Sequence, residues 1–437
     1  MAAARLYQRK WAFIKFPIAI AAVALMAWLW RVWLPMPPSE ITMSAGRADG
    51  VYYAYAKRYA EQFAQQGISL RVLESEGSVQ NLQRLYGESS PQADLAFIQG
   101  GIGYPPIERE SSSRLLTLAK VDIEPVWIFS RHAYVDSIQQ LQGLRVSLGP
   151  AGSGTRQLGV ALLEQVRLLP RDIIDSELAG VAAVEALKQG TLDVMLMVSA
   201  PESSVVKTLL TMPSMHMVQL RRTAALTERL PYLQTRLLVQ GALDGVSVPA
   251  RDLPVLTTSA SLVGRSDMHP ALQRLATHVA NTVHARGGVF HAPGEFPSLK
   301  RVEFPASEEA RRTLIHGLPW LEARLPFWWA QVVIRLVVIC LPVALLALWL
   351  ARMLPAYLRW VLESRVARWY GELKYIEHDL SREDLSGLDL THFLGRLNSI
   401  EQHMAAFVTP PYLMPRWFTL RQHIDFVRMR LLRRRGR

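Results

Sequence analysis

The chain has 437 residues, 50% of them hydrophobic, which is enough for more than one domain with a core of its own. Its only cysteine, Cys340, lies in an apolar segment, which excludes intrachain disulfides, zinc ribbons and a cysteine nucleophile. The net charge of +12 arises mainly at the two ends, with +4 in residues 1–16 and +6 in residues 351–437. Residues 17–350 carry only the remaining +2, so the basic composition does not indicate a nucleic-acid partner.

An apolar segment near the start of the chain covers residues 16–34 and is interrupted only by Arg31. Four basic residues precede it and three tryptophans lie near its far end, which is typical of a membrane anchor with a basic cytosolic flank. No cleavage site of small residues follows, because the segment ends in bulky side chains. We therefore expect a retained signal anchor at residues 16–34 and a cytosolic N-terminus at residues 1–15; a cleaved secretory peptide is the alternative.

Residues 39–324 combine short strand-like runs with helical periodicity. Apolar runs of strand length occur at residues 69–73, 94–98, 126–129 and 193–198. Between them, apolar side chains recur at spacings of three and four, as in the stripe formed by Tyr52, Tyr55, Tyr59 and Phe63. This alternation predicts an α/β fold large enough for two lobes, with the stripe in its core.

Three turns rich in small and polar residues each lie between a predicted strand and a predicted helix, at residues 42–50, 74–78 and 149–155. Ligands of open α/β sheets bind beyond the carboxyl ends of the strands, where such turns gather. Free N–H groups and the positive end of a helix dipole can hold a carboxylate or phosphate there without a catalytic base. The turns therefore predict a ligand-binding cleft; ordinary tight turns are the alternative.

A second apolar segment covers residues 327–350 and contains Arg335. Tryptophans and arginines bracket it as interfacial anchors would, which predicts a transmembrane helix; a buried helix of a soluble core is the alternative. The basic flanks place both termini in the cytosol and residues 39–324 outside it. We expect a protein of the bacterial inner membrane with two spans, a periplasmic domain and a cytosolic helical tail at residues 351–437.

The tail carries three apolar stripes of helical spacing. Their members are Leu362, Val366, Trp369, Leu373, Ile376 and Leu380; Phe393, Leu397, Ile400 and Met404; and Leu420, Ile424, Val427 and Leu431. The first two predict an antiparallel hairpin around Ser386 and Gly387, either packed on itself or open to a partner, so a homo-oligomer through the tail helices is one expectation. The arginines at 433–435 are suited to anionic lipid of the inner membrane.

Enzyme motifs are absent from the sequence. It has no His-Glu-x-x-His, no Gly-x-Ser-x-Gly and no Gly-x-x-x-x-Gly-Lys-Ser/Thr. The histidines of residues 39–324 are scattered without the spacing of metal ligands. We therefore expect no enzymatic activity, no catalytic residues, no metal and no cofactor.

Several motifs in order resemble a known family. They are Gly-Val-Tyr-Tyr at 50–53, Gly-Ser-Val-Gln-Asn-Leu at 77–82, Asp-Leu-Ala-Phe-Ile-Gln at 94–99 and Gly-Pro-Ala-Gly-Ser-Gly-Thr at 149–155. The combination resembles the TAXI class of solute-binding proteins, which serve tripartite ATP-independent periplasmic (TRAP) transporters. Residues 368–373 further resemble a membrane-anchored subgroup that carries a second span and a cytosolic tail.

This resemblance covers residues 41–375 and implies a two-lobed, type II periplasmic-binding-protein fold flanked by two transmembrane helices. Lobe one would comprise residues 41–127 and 262–318, and lobe two residues 131–254. Strands near residues 126–130 and 256–263 would form the hinge. The lobes would close on a small anionic organic solute or an amino acid.

Carried over position by position, the resemblance implies a set of ligand-binding residues. These are Ser44, Tyr52, Tyr53, Ser78, Asn81 and Gln99 from lobe one, and Ser153, Gly154 and Thr155 from lobe two. We expect the two tyrosines to divide between core and cleft. Helix capping is the alternative for Ser78 and Thr155, and a helix-surface position for Asn81. Arg47 and Asp49 stand where the family has a neutral turn, and they either bridge each other at the surface or face the cleft.

Two functions follow from these observations. The first is a membrane-tethered extracytoplasmic solute-binding protein that captures a small organic acid or amino acid for a TRAP-type permease. The alternative is a transmembrane ligand sensor that signals through the cytosolic tail, because tethering argues against delivery by free diffusion. The tail has no recognisable kinase, cyclase or DNA-binding motif, so we expect the first.

Overall fold

The computed structural model describes residues 2–103, 114–220, 223–380, 387–406 and 413–435. The chain divides into two compact units, Met36–Ile334 and Met1–Pro35 with Arg335–Arg437. Each unit has its own apolar clusters and is described separately.

The unit Met36–Ile334 has a mixed α/β fold with a curled sheet, as the sequence predicts. Its strands are β1 Glu40–Ser44, β2 Ser69–Leu73, β3 Leu95–Gln99, β4 Leu115–Ser130, β5 Arg145–Ser147, β6 Ile174–Ser176, β7 Val194–Val198, β8 His216–Met217, β9 Gln234–Leu238 and β10 Leu253–Arg265. Its helices are α2 Val51–Gln65, α3 Ser78–Tyr86, α4 Gly154–Gln165, α5 Gly180–Gln189, α6 Ser204–Thr211, α7 Thr223–Arg229, α8 Pro270–His284, α9 Glu308–His316 and α10 Trp320–Arg324. Helix α11, Phe327–Arg335, begins in this unit.

The sheet consists of two parallel arrays joined by two long antiparallel strands. Strand β1 pairs in parallel with β2 and β3, forming the first array, and β5 pairs in parallel with β6 and β7, forming the second. Strand β4 pairs with β10 up to Pro125 and with β7 from Val126 onward. Strand β10 pairs with β9 up to Thr257 and with β3 from Ala260 onward. Both long strands therefore pass from one array to the other at their middles.

Each array packs on its own apolar cluster. In the first array, Tyr59 and Phe63 of α2 are fully buried in the same apolar cluster as Phe97 of β3, which confirms this half of the predicted core stripe, while Tyr52 and Tyr55 are partly buried at its edge. In the second array, Val146 of β5 and Val194 of β7 pack against Leu162 of α4. The first array and the second array thus pack on different apolar clusters, and the long strands β4 and β10 connect them.

Among the residues that the structure describes, two helices are long and apolar enough to cross a membrane by length and composition. The first helix, α1, is Ala2–Val32 and contains the apolar window Lys15–Val32. The second apolar helix, Phe327–Asp379, includes a π-helical segment, Leu336–Cys340, and most of α12, Leu341–Leu380. The segments predicted as spans are thus helical, and membrane insertion stays a prediction.

Arg335 lies next to the first apolar helix and is only 1% exposed. Its Nε donates to the carbonyl oxygen of Leu34 at 2.9 Å, and its guanidinium also donates to the carbonyl oxygen of Pro35. The carbonyls that follow a helix have no partner within that helix. Arg335 satisfies two of them, which explains a cation beside an apolar segment.

Replacing Arg335 with leucine is expected to destabilise the unit that contains α1 and α12. The substitution removes the hydrogen bonds from the charged guanidinium to the carbonyls of Leu34 and Pro35, and a hydrogen bond to a charged group contributes about 1.5–3 kcal/mol. Thermal unfolding of the full chain in detergent would show an earlier transition for Arg335→Leu. The exposed Arg352 on α12 supplies the matched control, and an equal shift for Arg352→Leu would contradict this role.

The tail forms a three-helix core from α12, α13 Gly387–Ala406 and α14 Met414–Arg435. The cluster contains Val366, Leu373, Ile376, Phe393, Leu397, Ile400, Met404, Leu420, Ile424, Val427 and Leu431. These residues come from all three predicted stripes, so the stripes pack within one chain. The predicted turn at Ser386 lies outside the described residues, and a homo-oligomer remains a prediction.

Candidate ligand-binding cleft

A cavity of about 180 Å³ lies between the two arrays of the unit Met36–Ile334. The three predicted turns contribute to its wall, together with residues that follow β6 and β7. The lining residues include Gly46, Arg47, Asp49 to Tyr52, Glu76 to Ser78, Gln99, Glu124, Gly149, Pro150, Ser153 to Thr155, Leu178 to Gly180 and Met195 to Ser199. The structure therefore brings the three turns together, as the sequence predicts.

Helix N-termini from both arrays meet at this cavity. Helices α2 and α3 begin after Gly50 and Gly77, which have no side chain to cap the helix. Ser153 precedes α4, and Ala179, without a side-chain cap, precedes α5. The positive ends of four helix dipoles thus face one small volume, which favours a negatively charged ligand group.

The first array contributes Tyr52, Ser78 and Gln99 to the wall. The Ser78 hydroxyl accepts a hydrogen bond from the backbone N–H of Gln99 at 2.9 Å. The Gln99 side chain donates to the carbonyl oxygen of Gly154 at 3.1 Å, so it bridges the two arrays. Three of the predicted residues therefore lie at the cavity, and one of them, Gln99, connects its two sides.

Ser153, Gly154 and Thr155 of the second array also line the cavity. The Ser153 hydroxyl accepts from the backbone N–H of Arg156 at 3.1 Å and thereby caps α4. The Thr155 hydroxyl accepts from the backbone N–H of Val198 at 3.2 Å. These two hydroxyls are engaged with the chain itself: Ser153 is the residue that caps α4, whereas Thr155, for which capping was the alternative, accepts from Val198 of β7.

Ser44 and Asn81 do not lie on the cavity wall, which differs from the prediction. Asn81 is fully buried, and its Nδ2 donates to the carbonyls of Ala45 at 2.5 Å and Phe97 at 2.9 Å. Its Oδ1 accepts from the hydroxyls of Ser44 and Ser75, both at 2.6 Å. Helical side chains point back toward the N-terminus, so Asn81 reaches the turns beneath the cleft and not the cleft itself.

The two adjacent tyrosines divide, with Tyr52 at the cavity and Tyr53 away from it. Tyr53 is half-buried at the edge of the first core, and the ammonium of Lys57 lies 5.2 Å from its ring centre. Consecutive residues of a helix project about 100° apart, so one of the pair faces the sheet edge and the other turns outward.

Arg47 and Asp49 both face the cavity. Arg47 Nε lies 3.3 Å from Asp49 Oδ1, and its Nη1 lies 3.6 Å from Glu76 Oε2. A Cβ atom on Gly180 would lie only 2.5 Å from Asp49 Oδ2, so the Asp49 carboxylate reaches the start of α5. Arg47 and Asp49 therefore lie between the arrays. Because both side chains are exposed to solvent, their ion pair contributes little to the stability of the fold.

Glu124 on β4 is a wall residue that sequence reasoning missed. It is 6% exposed, and its Oε2 accepts a hydrogen bond from the Tyr52 hydroxyl at 2.7 Å. Burial raises the pKa of Glu124 to about 8, and the charge of Asp122 adds to this shift against the opposing effect of the Tyr52 hydrogen bond. An acidic residue within the apolar run 121–129 was the available signal, because a buried carboxyl in a strand needs a partner.

Replacing Glu124 with glutamine is expected to remove a pH dependence of stability. The ordinary pKa of 4.5 applies to the unfolded chain and about 8 to the folded one. The folded chain therefore keeps the proton to higher pH, and this stabilisation is complete below about pH 4.5 and is lost as the pH rises through about 8. At about 1.36 kcal/mol per pKa unit, the change amounts to a few kcal/mol.

Thermal unfolding of the full chain in detergent at pH 5.5 and pH 8.5 checks this expectation. The wild type should lose more stability between the two values than Glu124→Gln. Glu76→Gln, which changes an exposed carboxyl on the same cavity wall, is the control and should follow the wild type. Parallel curves for the wild type and Glu124→Gln would contradict the expectation.

Comparisons with known proteins extend these observations. A sequence profile of the NMT1-like family matches residues 43–275, and no curated protein sequence matches the chain. Among solved structures, a protein of Bordetella bronchiseptica RB50 is 18% identical, with 56% of this chain and 71% of that one covered and a TM-score of 0.40. The periplasmic aliphatic sulphonate binding protein SsuA from Escherichia coli is 15% identical, with 57% of this chain and 73% of that one covered and a TM-score of 0.35. The BenM effector-binding domain with benzoate is 11% identical, with 60% of this chain and 100% of that one covered and a TM-score of 0.36.

Proposed function

The chain belongs to the NMT1-like family, and from this premise we propose that it is a membrane-tethered solute-binding protein. Its unit Met36–Ile334 captures a small organic acid or amino acid outside the cytosol and delivers it to a TRAP-type permease. The permease belongs to the proposal through the resemblance of the motifs at residues 50–53, 77–82, 94–99 and 149–155.

The observation that carries the proposal is the cavity between the arrays, with helix N-termini on both sides of it. Gly50 and Gly77 leave the starts of α2 and α3 without capping side chains, and Ser153 and Ala179 bring the starts of α4 and α5 to the same cavity. Backbone N–H groups and dipoles bind a carboxylate without catalysing a reaction, which is the requirement for a carrier. A ligand that contacts both arrays favours the closed arrangement over an open one.

The long strands β4 and β10 supply the hinge in this proposal. Strand β4 changes partner from β10 to β7 of the second array at Val126, and β10 changes partner from β9 to β3 of the first array between Thr257 and Ala260. Small rotations at these points would separate the arrays while the two apolar cores stay intact. Closure then buries the ligand and opening releases it to the permease.

The two apolar helices support a tether in the inner membrane. The windows begin at Lys15 and Phe327, so both flank the unit Met36–Ile334 in sequence. Basic residues before the first window and in the tail favour a cytosolic location for both termini. The solute-binding unit then lies in the periplasm, next to a permease of the same membrane.

A transmembrane sensor is the second candidate, and one feature favours it. Helix α12 extends without interruption from apolar residues near Leu341 to Val366, Leu373 and Ile376 in the tail core. A continuous helix can transmit a shift at one end to the packing at its other end. Deleting residues 356–437 separates the candidates: uptake survives in a transport protein, whereas a sensor loses its ligand-dependent response.

A thermal-shift screen tests the proposed binding function. The full chain in lipid nanodiscs is heated with dicarboxylates, tricarboxylates, 2-oxo acids and amino acids. Ligand at 100 times its Kd stabilises the bound unit by about 2.7 kcal/mol. A selective shift with one class supports the proposal, and a well-folded sample without any shift contradicts it.

A further inference from the structure

The cavity wall carries one buried carboxyl that the closed arrangement does not use fully. Glu124 is 6% exposed, and Tyr52 donates to its Oε2 at 2.7 Å. Within the residues that the structure describes, Oε1 of Glu124 has no hydrogen-bond partner and no cation pairs with this carboxyl. Glu124 lines the cavity and its Oε1 is not sealed within the core, so a ligand group in the cavity can reach this oxygen and bond to it.

The arginines near the cavity form ion pairs with carboxylates other than that of Glu124. Arg47 lies on the wall between Asp49 and Glu76 and is close to both carboxylates. Arg156, at the start of α4, pairs with Asp175 and so contributes no free positive charge to the ligand. Among the described wall residues, acidic side chains therefore outnumber basic ones, which opposes a ligand with negative charge alone.

The same wall nevertheless contains the uncapped starts of α2 and α3, which attract negative charge. One cavity thus offers a place for an anion and a place for a cation. A ligand that carries both groups satisfies both features, whereas a simple organic acid leaves Glu124 without a partner.

We propose that Glu124 binds the ammonium group of the ligand through its free carboxyl oxygen, while the helix N-termini bind the carboxylate of the ligand. The ligand class is then a small zwitterionic amino acid. This inference rests on the proposed binding function and makes Glu124 its specificity-determining residue. The cavity volume of about 180 Å³ is large enough for a small amino acid, because a water-sized group requires about 10–15 Å³ of such space.

Proton release on binding follows from this arrangement. The groups that face Glu124 are Tyr52 from α2 and Asp122 from its own strand, and Arg47, Asp49 and Glu76 share the cavity wall. Because burial raises the pKa of Glu124 to about 8, the carboxyl is mostly protonated at pH 6.5. An arriving ammonium favours the carboxylate, so the proton of Glu124 passes to the buffer as the ion pair forms.

Calorimetric titration of the full chain in nanodiscs tests the inference with matched pairs of probes. The pairs are L-alanine with propionate, L-serine with 3-hydroxypropionate, and L-glutamate with glutarate. We expect one amino acid to bind at least about 100-fold more tightly than its partner, which corresponds to about 2.8 kcal/mol. Titrations at pH 6.5 in two buffers of different ionisation enthalpy should show close to one proton released for each amino acid bound.

In Glu124→Gln the preference should fall below about tenfold and the proton release should vanish. Glu61→Gln, which changes an exposed carboxyl of α2 away from the cavity wall, should retain both. If Glu124→Gln does not fold, Glu124→Asp and the proton release of the wild type decide the question, because aspartate keeps the charge at a shorter reach.

Equal binding within every pair, or a preference that survives in a folded Glu124→Gln, overturns the inference and leaves the binding function intact. Absence of binding by all three amino acids also overturns it. The screen with dicarboxylates, tricarboxylates and 2-oxo acids then decides whether the proposed function fails as well.

Discussion

Replacing Gly152 with leucine is expected to lower the affinity for the ligand at least about 100-fold, or about 2.8 kcal/mol, with little change in thermal stability. Gly152 lies in the turn before α4, and a Cβ atom there would stand 2.9 Å from Cβ of Glu76 in the first array. Real side chains do not approach so closely, so the larger residue forces the arrays apart. Each array keeps its own core, and only the closed arrangement is lost.

The neighbouring Ala151 supplies the matched control. It is exposed and absent from the cavity wall, so Ala151→Leu adds the same side chain to the same turn without entering the contact between the arrays. Calorimetric titration of both variants with the ligand found in the screen gives the comparison. Wild-type affinity in Gly152→Leu would show that binding does not require closure.

The close contact between the arrays also depends on Gly77. Its φ of +139° lies in a region that favours glycine, and a Cβ atom there would stand 3.0 Å from Cα of Ser153. Gly77 and Gly152, which the sequence marks only as turn residues, therefore have a second role. Without side chains, they let the backbones of the two arrays approach each other across the cavity. Gln99 completes this contact through its bond to Gly154.

Local patterns predicted the elements of the fold well. Periodicity identified the buried stripe of Tyr59 and Phe63, and the turn residues identified the starts of α2, α3 and α4, because both signals depend on residues close in sequence. These local patterns did not predict that β10 lies between β3 and β4 in the sheet. Strands separated by more than 100 residues carry no local sign of their partner.

The site was predicted less completely than the fold. The motif at 77–82 located α3 correctly, but the direction of the Asn81 side chain depends on the turns that pack beneath the helix. Glu124 carries no motif, and its importance arises from Tyr52, which lies 72 positions earlier and donates to it. A pattern assigns a residue to a face of an element, while the neighbours across the fold decide what its polar atoms contact.

Asn81→Leu is expected to destabilise the first array by more than about 3 kcal/mol and to lower ligand binding as a consequence. Leucine removes all four hydrogen bonds of the fully buried Asn81 and leaves the carbonyls of Ala45 and Phe97 without their donor, with a cost of about 1–3 kcal/mol for each unsatisfied group. The control is Gln83→Leu, which changes an exposed amide of the same helix and should leave the melting temperature within about 1 °C.

Thermal unfolding and calorimetric titration of both variants distinguish a positioning residue from a ligand contact. The network of Asn81 joins the end of β1 and the middle of β3 to the turn before α3, so its loss disorders the turns from which the helix N-termini face the cavity. Binding should therefore fall together with the melting temperature, and osmolytes that restore folding should restore binding. A variant that keeps the wild-type melting temperature but loses affinity would instead place Asn81 in direct contact with the ligand. The protein would then bind the ligand in a second conformation as well, one in which Asn81 reaches the cavity.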